Sequence, residues 1–158
     1  MKMTIRVFLV LLLGSFPVLP YAQASEGEEG AEEGFHKNHM SLFLGSTQEG
    51  SEESFTIGLD YEFRFRKHLG IGAFADYAGG DIRSTAFGVP LAVHPTVDWL
   101  IFAGPGLDHH EGENDFLVRI GTMYHFEVGK WTVAPALNLD IVDGDELWVY
   151  GVNIGKGF

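Results

Sequence analysis

The sequence predicts an all-β protein, an eight-stranded antiparallel up-and-down β-barrel, on three observations. Apolar and polar residues alternate with period two over long stretches, as in strands whose two faces meet different surroundings. Turn signals recur between these stretches at short intervals. The segment from Trp148 to the final residue, Phe158, also alternates and ends on an aromatic residue.

Eight segments carry the strand pattern, and 54–65 carries it most regularly. They are residues 39–47, 54–65, 69–78, 84–94, 98–106, 115–127, 131–142 and 147–158. One face of 54–65 holds Phe55, Ile57, Leu59, Tyr61, Phe63 and Phe65; the other holds Thr56, Gly58, Asp60, Glu62 and Arg64. A strand with one apolar and one small or polar face separates two environments.

Three predicted hairpin turns keep apolar residues opposite apolar residues, which side-chain phase requires. They lie at 66–68, Val128-Gly129 and Asp143-Gly144, the last a type I′ signal. Prolines also fall inside predicted strands, namely Pro90, Pro105 and Pro135. A proline cannot donate to the ladder, so we expect bulges or broken bonds there.

Residues 1–24 have a basic start, a short apolar run and a small-x-small end, which predicts a cleaved signal peptide. Residues 25–38 form an acidic, flexible linker, and the barrel occupies 39–158. The chain has no cysteine, which excludes disulfides and a lipoprotein anchor. No later run of apolar residues is long enough for a transmembrane helix.

The net charge of −12 argues against a nucleic-acid partner, since phosphate binding needs clustered cations. The acidic residues concentrate in alternate connections, which hold eleven carboxylates and a single cation, Arg83. Several of these connections read as long loops, notably 106–114, whereas those at the other end are short. Short turns at one rim and longer loops at the other are typical of membrane barrels, with the longer loops outside the cell.

The apolar face is predicted to point outward to lipid. In the alternative, a soluble lipocalin-like barrel, the apolar face would point inward. Aromatic residues lie at both ends of that face, the opposite face is rich in glycine with a few charges, and strand lengths suit a tilted crossing. With these features, residues 35–158 resemble the small eight-stranded outer-membrane barrels of the OmpA/OmpX-like group. The resemblance implies localisation in a Gram-negative outer membrane among lipid and lipopolysaccharide. It also implies Phe158 as a signal for the outer-membrane insertion machinery, and no periplasmic domain.

Charged residues on the inner face are predicted to form a lumen network: Glu62, Arg64, Asp76, Arg119, His125 and Asp140. The predicted register places Arg119 opposite Asn138, with Asp140 on the diagonal. An eight-stranded barrel is just wide enough for side chains to fill it, and buried charges must be paired. We therefore expect a salt-bridged plug in preference to a gate or polar conduit.

Two sequence features could bind metals. The first is Asp108, His109, His110, Glu111, Glu113 and Asp115, whose oxygens suit divalent cations, although no spacing matches a known calcium loop. The second is the pair His36 and His39, which precedes a strand and offers only two ligands. An ordinary polar loop and an ordinary polar segment are the favoured interpretations.

No cofactor is predicted, and an enzymatic role is disfavoured. Some outer-membrane barrels are lipid A deacylases or acyltransferases, which would need a serine near a histidine. Ser54 and Ser84 sit at loop ends without an evident histidine partner. We expect a structural or cell-surface interaction role. The alternatives are a barrel that binds lipid or a small apolar ligand, a minor channel, and a soluble periplasmic lipocalin-like barrel.

Overall fold

The computed structural model describes residues 36–158, which form ten strand segments. They are β1 (Asn38–Glu49), β2 (Glu52–Arg66), β3 (Leu69–Ala78), β4 (Ser84–Gly88), β5 (Leu91–Val93), β6 (Trp99–His110), β7 (Glu113–Tyr124), β8 (Phe126–Val128), β9 (Trp131–Val142) and β10 (Asp145–Gly157). β4 and β5 together make one barrel strand, and β7 and β8 another. The signal peptide and most of the linker predicted from the sequence lie outside the described residues.

Strand pairing closes the sheet into an eight-stranded antiparallel barrel, as predicted. β1 pairs with β2 on one side and with β10 on the other, so the first and last strands join. Leu42, for example, lies opposite Ile154 across this seam. No helix among the described residues is long and apolar enough to cross a membrane.

The apolar face of the strands points outward. Phe63, Tyr124 and Ile154 are 40%, 43% and 42% exposed, whereas inward neighbours such as Thr56 and Arg64 are buried. This orientation is the one predicted for a membrane barrel and the reverse of that in a lipocalin. The exposed apolar surface covers the whole wall.

Aromatic residues ring this wall at two levels. One level holds Phe63, Phe65, Trp99, Tyr124, Phe126, Trp131 and Phe158; the other holds Phe55, Tyr77, Phe87, Phe116 and Trp148. Phe55 and Phe65 are separated by about 33 Å along a strand that rises about 3.3 Å per residue. A tilt of about 40° reduces this to about 25 Å along the barrel axis, the height of the apolar band in outer-membrane barrels.

The two ends of the barrel differ in charge but not in loop length. The acidic rim, as we call it, contains the connections 50–51, 79–83, 111–112 and 143–144; the terminal rim contains 67–68, 94–98, 129–130 and both ends of the described chain. The predicted loop 106–114 is wrong. β6 extends to His110 and β7 begins at Glu113, so only the two-residue turn Glu111-Gly112 connects them. Acidic residues therefore do not end these strands: Asp108 lies within β6 and Asp115 within β7, opposite each other.

Two of the three predicted turns needed correction. The Asp143-Gly144 turn is confirmed, with φ of 47° and 98° and Leu139 opposite Trp148. The turn after β8 is Gly129-Lys130 rather than Val128-Gly129, so Val128 faces Trp131. At the first turn Arg66, not Phe65, pairs with Leu69, through a register shift between Arg64 and Arg66.

Two of the strand prolines cause a single interruption of the wall. Pro90 separates β4 from β5, although its carbonyl still accepts a bond from Gly72 N at 2.8 Å. The carbonyl of Pro105 in β6 likewise accepts from Val89 N at 3.0 Å, but Pro105 has no N–H to return. Both missing donors therefore fall at one level of the barrel. Pro135 lies within an unbroken β9, opposite Val152.

Candidate functional site

The candidate site is the lumen, whose inward side chains form three layers. Along β7 the inward residues are Arg119, then Gly121 and Met123, followed by His125 just after the strand. Arg119 belongs to a charged cluster towards the acidic rim, Met123 to an apolar layer, and His125 to a histidine-rich cluster at the terminal rim. The predicted network is thus divided into two clusters.

The Arg119 cluster ties one guanidinium to two carboxylates. Arg119 Nε donates to Asp140 Oδ1 at 2.6 Å and Nη2 donates to Asp140 Oδ2 at 2.7 Å, a bidentate pair. Arg119 Nη1 donates to Asp76 Oδ2 at 2.5 Å. The guanidinium also lies 3.8 Å from the centroid of the Phe74 ring, a cation–π contact. All three charged side chains are buried, so each depends on the others for its partner.

Glycine makes room for this cluster. A Cβ on Gly58 of β2 would collide with the Asp76 carboxylate. Gly58 lies opposite Asp76 in the β2–β3 register, so the carboxylate occupies the space above it. The small residues of the inner face therefore accommodate the salt bridge.

Asp140 and Asp76 lie near Arg119 as predicted, but the predicted pairing of β7 with β9 was wrong by two residues. Asp140 lies directly opposite Arg119, and Asn138 lies opposite Gly121. The direct pairing permits the bidentate geometry. The contact of Arg119 with Phe74 was not predicted from the sequence.

The Glu62 cluster lies nearer the terminal rim. Glu62 Oε2 accepts from Arg64 Nε at 3.4 Å, and Glu62 Oε1 lies 2.5 Å from His94 Nε2. His94 follows β5 directly and is buried, and its carbonyl contacts His68 Nδ1 at 2.7 Å. His94 was not among the predicted lumen residues, although it ends the predicted strand 84–94 in phase with the buried Ala92.

His125 does not join either salt bridge; it faces His39. The two ring centroids are 5.0 Å apart with an interplanar angle of 73°. His125 Nδ1 lies 3.1 Å from the carbonyl oxygen of Asp98, and His39 Nε2 lies 2.7 Å from Thr132 Oγ1. His39 was not among the predicted lumen residues.

An apolar layer separates the clusters. It consists of Phe43, Ala92, Leu100, Phe102, Met123, Ala134, Ala136 and Val149. A cavity beside it has a volume of about 40 Å³, room for a few water molecules and too little for an apolar ligand. At the acidic rim Ile82, only 2% exposed, covers the mouth, with its backbone N bonded to Ser54 Oγ at 3.4 Å.

The predicted metal-binding stretch is divided between strand faces. Asp108 and Asp115 lie opposite each other and, with His110, line the inside of the acidic mouth. His109 is exposed, and its Nδ1 lies 2.9 Å from Asn114 Oδ1; Glu111 is in the turn and Glu113 at the strand tip. Within residues 36–158 no three acidic or histidine side chains are grouped closely enough to hold a metal ion. A divalent cation here stays a prediction.

Ser84 does have a histidine opposite it, contrary to the sequence reading. Ser84 pairs with His110 across β4 and β6, and Asp108 lines the same part of the mouth. In the part of the chain that the structure describes, no hydrogen bond joins Ser84 Oγ to the His110 ring.

A closed barrel with a lipid-facing aromatic wall and paired charges inside defines the class, a small eight-stranded outer-membrane β-barrel. The sequence matches no known protein family and no curated protein. Its fold is similar to the N-terminal β-barrel domain of Pseudomonas aeruginosa OprF, with a TM-score of 0.57 and 10% identity over 78% of this chain and 100% of that one.

Two other solved structures show the same fold. Yersinia pestis outer membrane protein Ail, determined in a phospholipid bilayer nanodisc, gives a TM-score of 0.53 and 10% identity over 77% of this chain and 99% of that one. A de novo designed transmembrane β-barrel gives a TM-score of 0.54 and 7% identity over 78% of this chain and 98% of that one. Because one of these structures is a designed protein, the similarity concerns the barrel architecture alone.

Proposed function

We propose that this chain is an exported outer-membrane barrel with a structural or cell-surface interaction role, non-enzymatic and closed to ion flow. The observation that carries the proposal is the division of side chains between the two faces of the wall. Aromatic and aliphatic residues meet lipid, and Arg64, Glu62, Arg119, Asp76 and Asp140 are buried inside in ion pairs.

Closure of the lumen follows from its contents. The Arg119 and Glu62 clusters occupy their levels with paired charges that offer a passing ion little exchangeable coordination. The mostly apolar layer between them, which also holds the buried Asn153, leaves a cavity of only about 40 Å³ for water. This argues against the minor-channel alternative, and the 40 Å³ cavity argues against the ligand-binding one.

The charge difference between the rims supports an orientation. The acidic rim would face outside, where it is available to partners. The terminal rim would face the periplasm, with Phe158 available to the insertion machinery during assembly. In the folded barrel Phe158 N donates to Asn38 O at 2.9 Å, and Asn38 N donates to Phe158 O at 3.0 Å, so the terminal residue completes the seam.

Gel migration of the membrane fraction tests the barrel and its location. The unboiled protein should stay folded in detergent and migrate differently from the boiled protein, and it should sediment with outer membranes. Recovery in the soluble periplasmic fraction, with no difference in migration, would refute the proposal.

Planar-bilayer recording tests closure. Wild-type protein should give no resolvable conductance steps, whereas Arg119→Ala should produce small steps if it folds, because two carboxylates lose their partner. Arg83→Ala, at the exposed acidic rim, is the matched control and should stay silent. Steady wild-type conductance would instead support the channel alternative.

A further inference from the structure

The pair His39 and His125 has a geometry that the proposed function does not use. His39 projects inward from β1, and His125 projects inward between β7 and β8, so the barrel closure brings together residues distant in sequence. Their rings meet edge to face, with centroids 5.0 Å apart.

Hydrogen bonds fix which nitrogens remain available. The carbonyl of Asp98 can only accept, so neutral His125 carries its proton on Nδ1 and keeps a lone pair on Nε2. Thr132 Oγ1 can accept from His39 Nε2, and in that tautomer His39 Nδ1 keeps its lone pair. Metal-binding histidines characteristically donate their second N–H to a carbonyl or another polar group in this way, which orients the ring.

The spacing of the rings also fits a shared ion. Imidazoles that bind one metal ion at about 2.1 Å from each nitrogen, at tetrahedral angles, hold their centroids about 5 Å apart. The pair requires no large movement to reach that separation from 5.0 Å.

Carboxylate side chains line the space beside the pair. A cavity of about 30 Å³ adjoins the pair and is also lined by His36, Asp98 and Glu127. Arg64 lines it as well, but its guanidinium is paired with Glu62. Since no three such donors yet stand at metal-binding distance within residues 36–158, the third ligand must come from a small movement of the cavity wall or from water. His36, an imidazole in the segment before β1, is placed for this.

We propose that His39 Nδ1 and His125 Nε2 bind one divalent transition-metal ion of the imidazole-preferring class, such as Zn²⁺ or Cu²⁺, inside the terminal rim. The site would lie on the periplasmic side of the barrel. It does not depend on whether the lumen conducts.

The experiment uses the untagged mature protein in detergent micelles. Zn²⁺ titrated calorimetrically should bind with a stoichiometry of one, and Cu²⁺ should show nitrogen hyperfine splitting in its electron paramagnetic resonance spectrum. His39→Ala and His125→Ala should each weaken binding at least tenfold and remove nitrogen couplings. His36→Ala should have a smaller effect, and Thr132→Val should weaken binding without removing a coupling.

His109→Ala is the matched control, since His109 is exposed at the opposite rim. It should leave affinity and spectrum unchanged. Each variant is first checked for folding by its migration before and after boiling. If the doubly substituted His39→Ala, His125→Ala protein folds and binds as wild type does, or if wild type binds no Zn²⁺, the proposal is wrong.

Discussion

The two buried charge clusters differ in how their charges are balanced. In the Arg119 cluster one permanent cation is bonded to two carboxylates through three short bonds. In the Glu62 cluster a carboxylate lies between an arginine at 3.4 Å and a histidine at 2.5 Å. The first joins one guanidinium to two carboxylates, whereas the second joins one carboxylate to a guanidinium and an imidazole.

This difference indicates different roles within one lumen. Arg119 of β7 bonds to carboxylates of β3 and β9, so it acts as a structural tie across the barrel. The Glu62 cluster is buried nearer the terminal rim, among histidines. Substitutions should therefore rank the two clusters by stability.

Arg119→Ala should have the largest effect. It leaves Asp76 and Asp140 buried without their partner, and breaking a buried ion pair in this way costs about 3–5 kcal/mol. Urea unfolding in lipid vesicles, followed by tryptophan fluorescence, measures the free energy of unfolding. An unchanged value would show that water or neighbouring groups compensate for the lost guanidinium.

Glu62→Gln should have a smaller effect, about 1–3 kcal/mol, because the amide oxygen can still accept from Arg64 or His94. The same unfolding measurement applies. A loss as large as that of Arg119→Ala would remove the distinction between the clusters.

Gly58→Ala should cost about 1–2 kcal/mol, because the new Cβ displaces the Asp76 carboxylate from its position near Arg119. The cause can be isolated with a double-mutant cycle. In an Asp76→Ala background the added cost should fall to a few tenths of a kcal/mol, since the obstructing carboxylate is gone. If the effects of Gly58→Ala and Asp76→Ala on the free energy of unfolding simply add, the cost of Gly58→Ala comes from the backbone and not from the Asp76 carboxylate.

Tyr150→Phe should have the smallest effect. The Tyr150 hydroxyl donates to Glu53 Oε1 at 2.7 Å on the exposed outer surface, where water can replace the bond. No measurable change in unfolding is expected. A clear destabilisation would mean that exposed contacts near the acidic rim, and not only the lumen, hold the strands in register.

The architecture could be predicted from sequence because alternation is a local signal. The apolar residues of 54–65 all face outward as expected, and strand number and closure are as predicted. The register of strand pairing was predicted less accurately. Matching apolar to apolar detects a shift of one residue but not of two, since a shift of two returns every side chain to the same face. This is why the turn after β8 and the partner of Arg119 were misplaced.

The remaining errors have other physical causes. Acidic residues were read as loops, although β6 carries them in a strand that continues beyond the apolar band. His39 and His94 lie at the ends of the predicted strands 39–47 and 84–94, in phase with the buried Ser41 and Ala92, so alternation gives their face but not their partners. Their proximity to His125 and Glu62 depends on barrel closure, which no local pattern encodes.

The tight turns of the acidic rim have a consequence for recognition. Glu111-Gly112 and Asp143-Gly144 hold their flanking strands in fixed pairs to the tips. A partner that docks there meets a preformed surface and need not order a floppy segment, so association loses little conformational entropy. Such a rim favours rigid, shape-matched binding over adaptable binding.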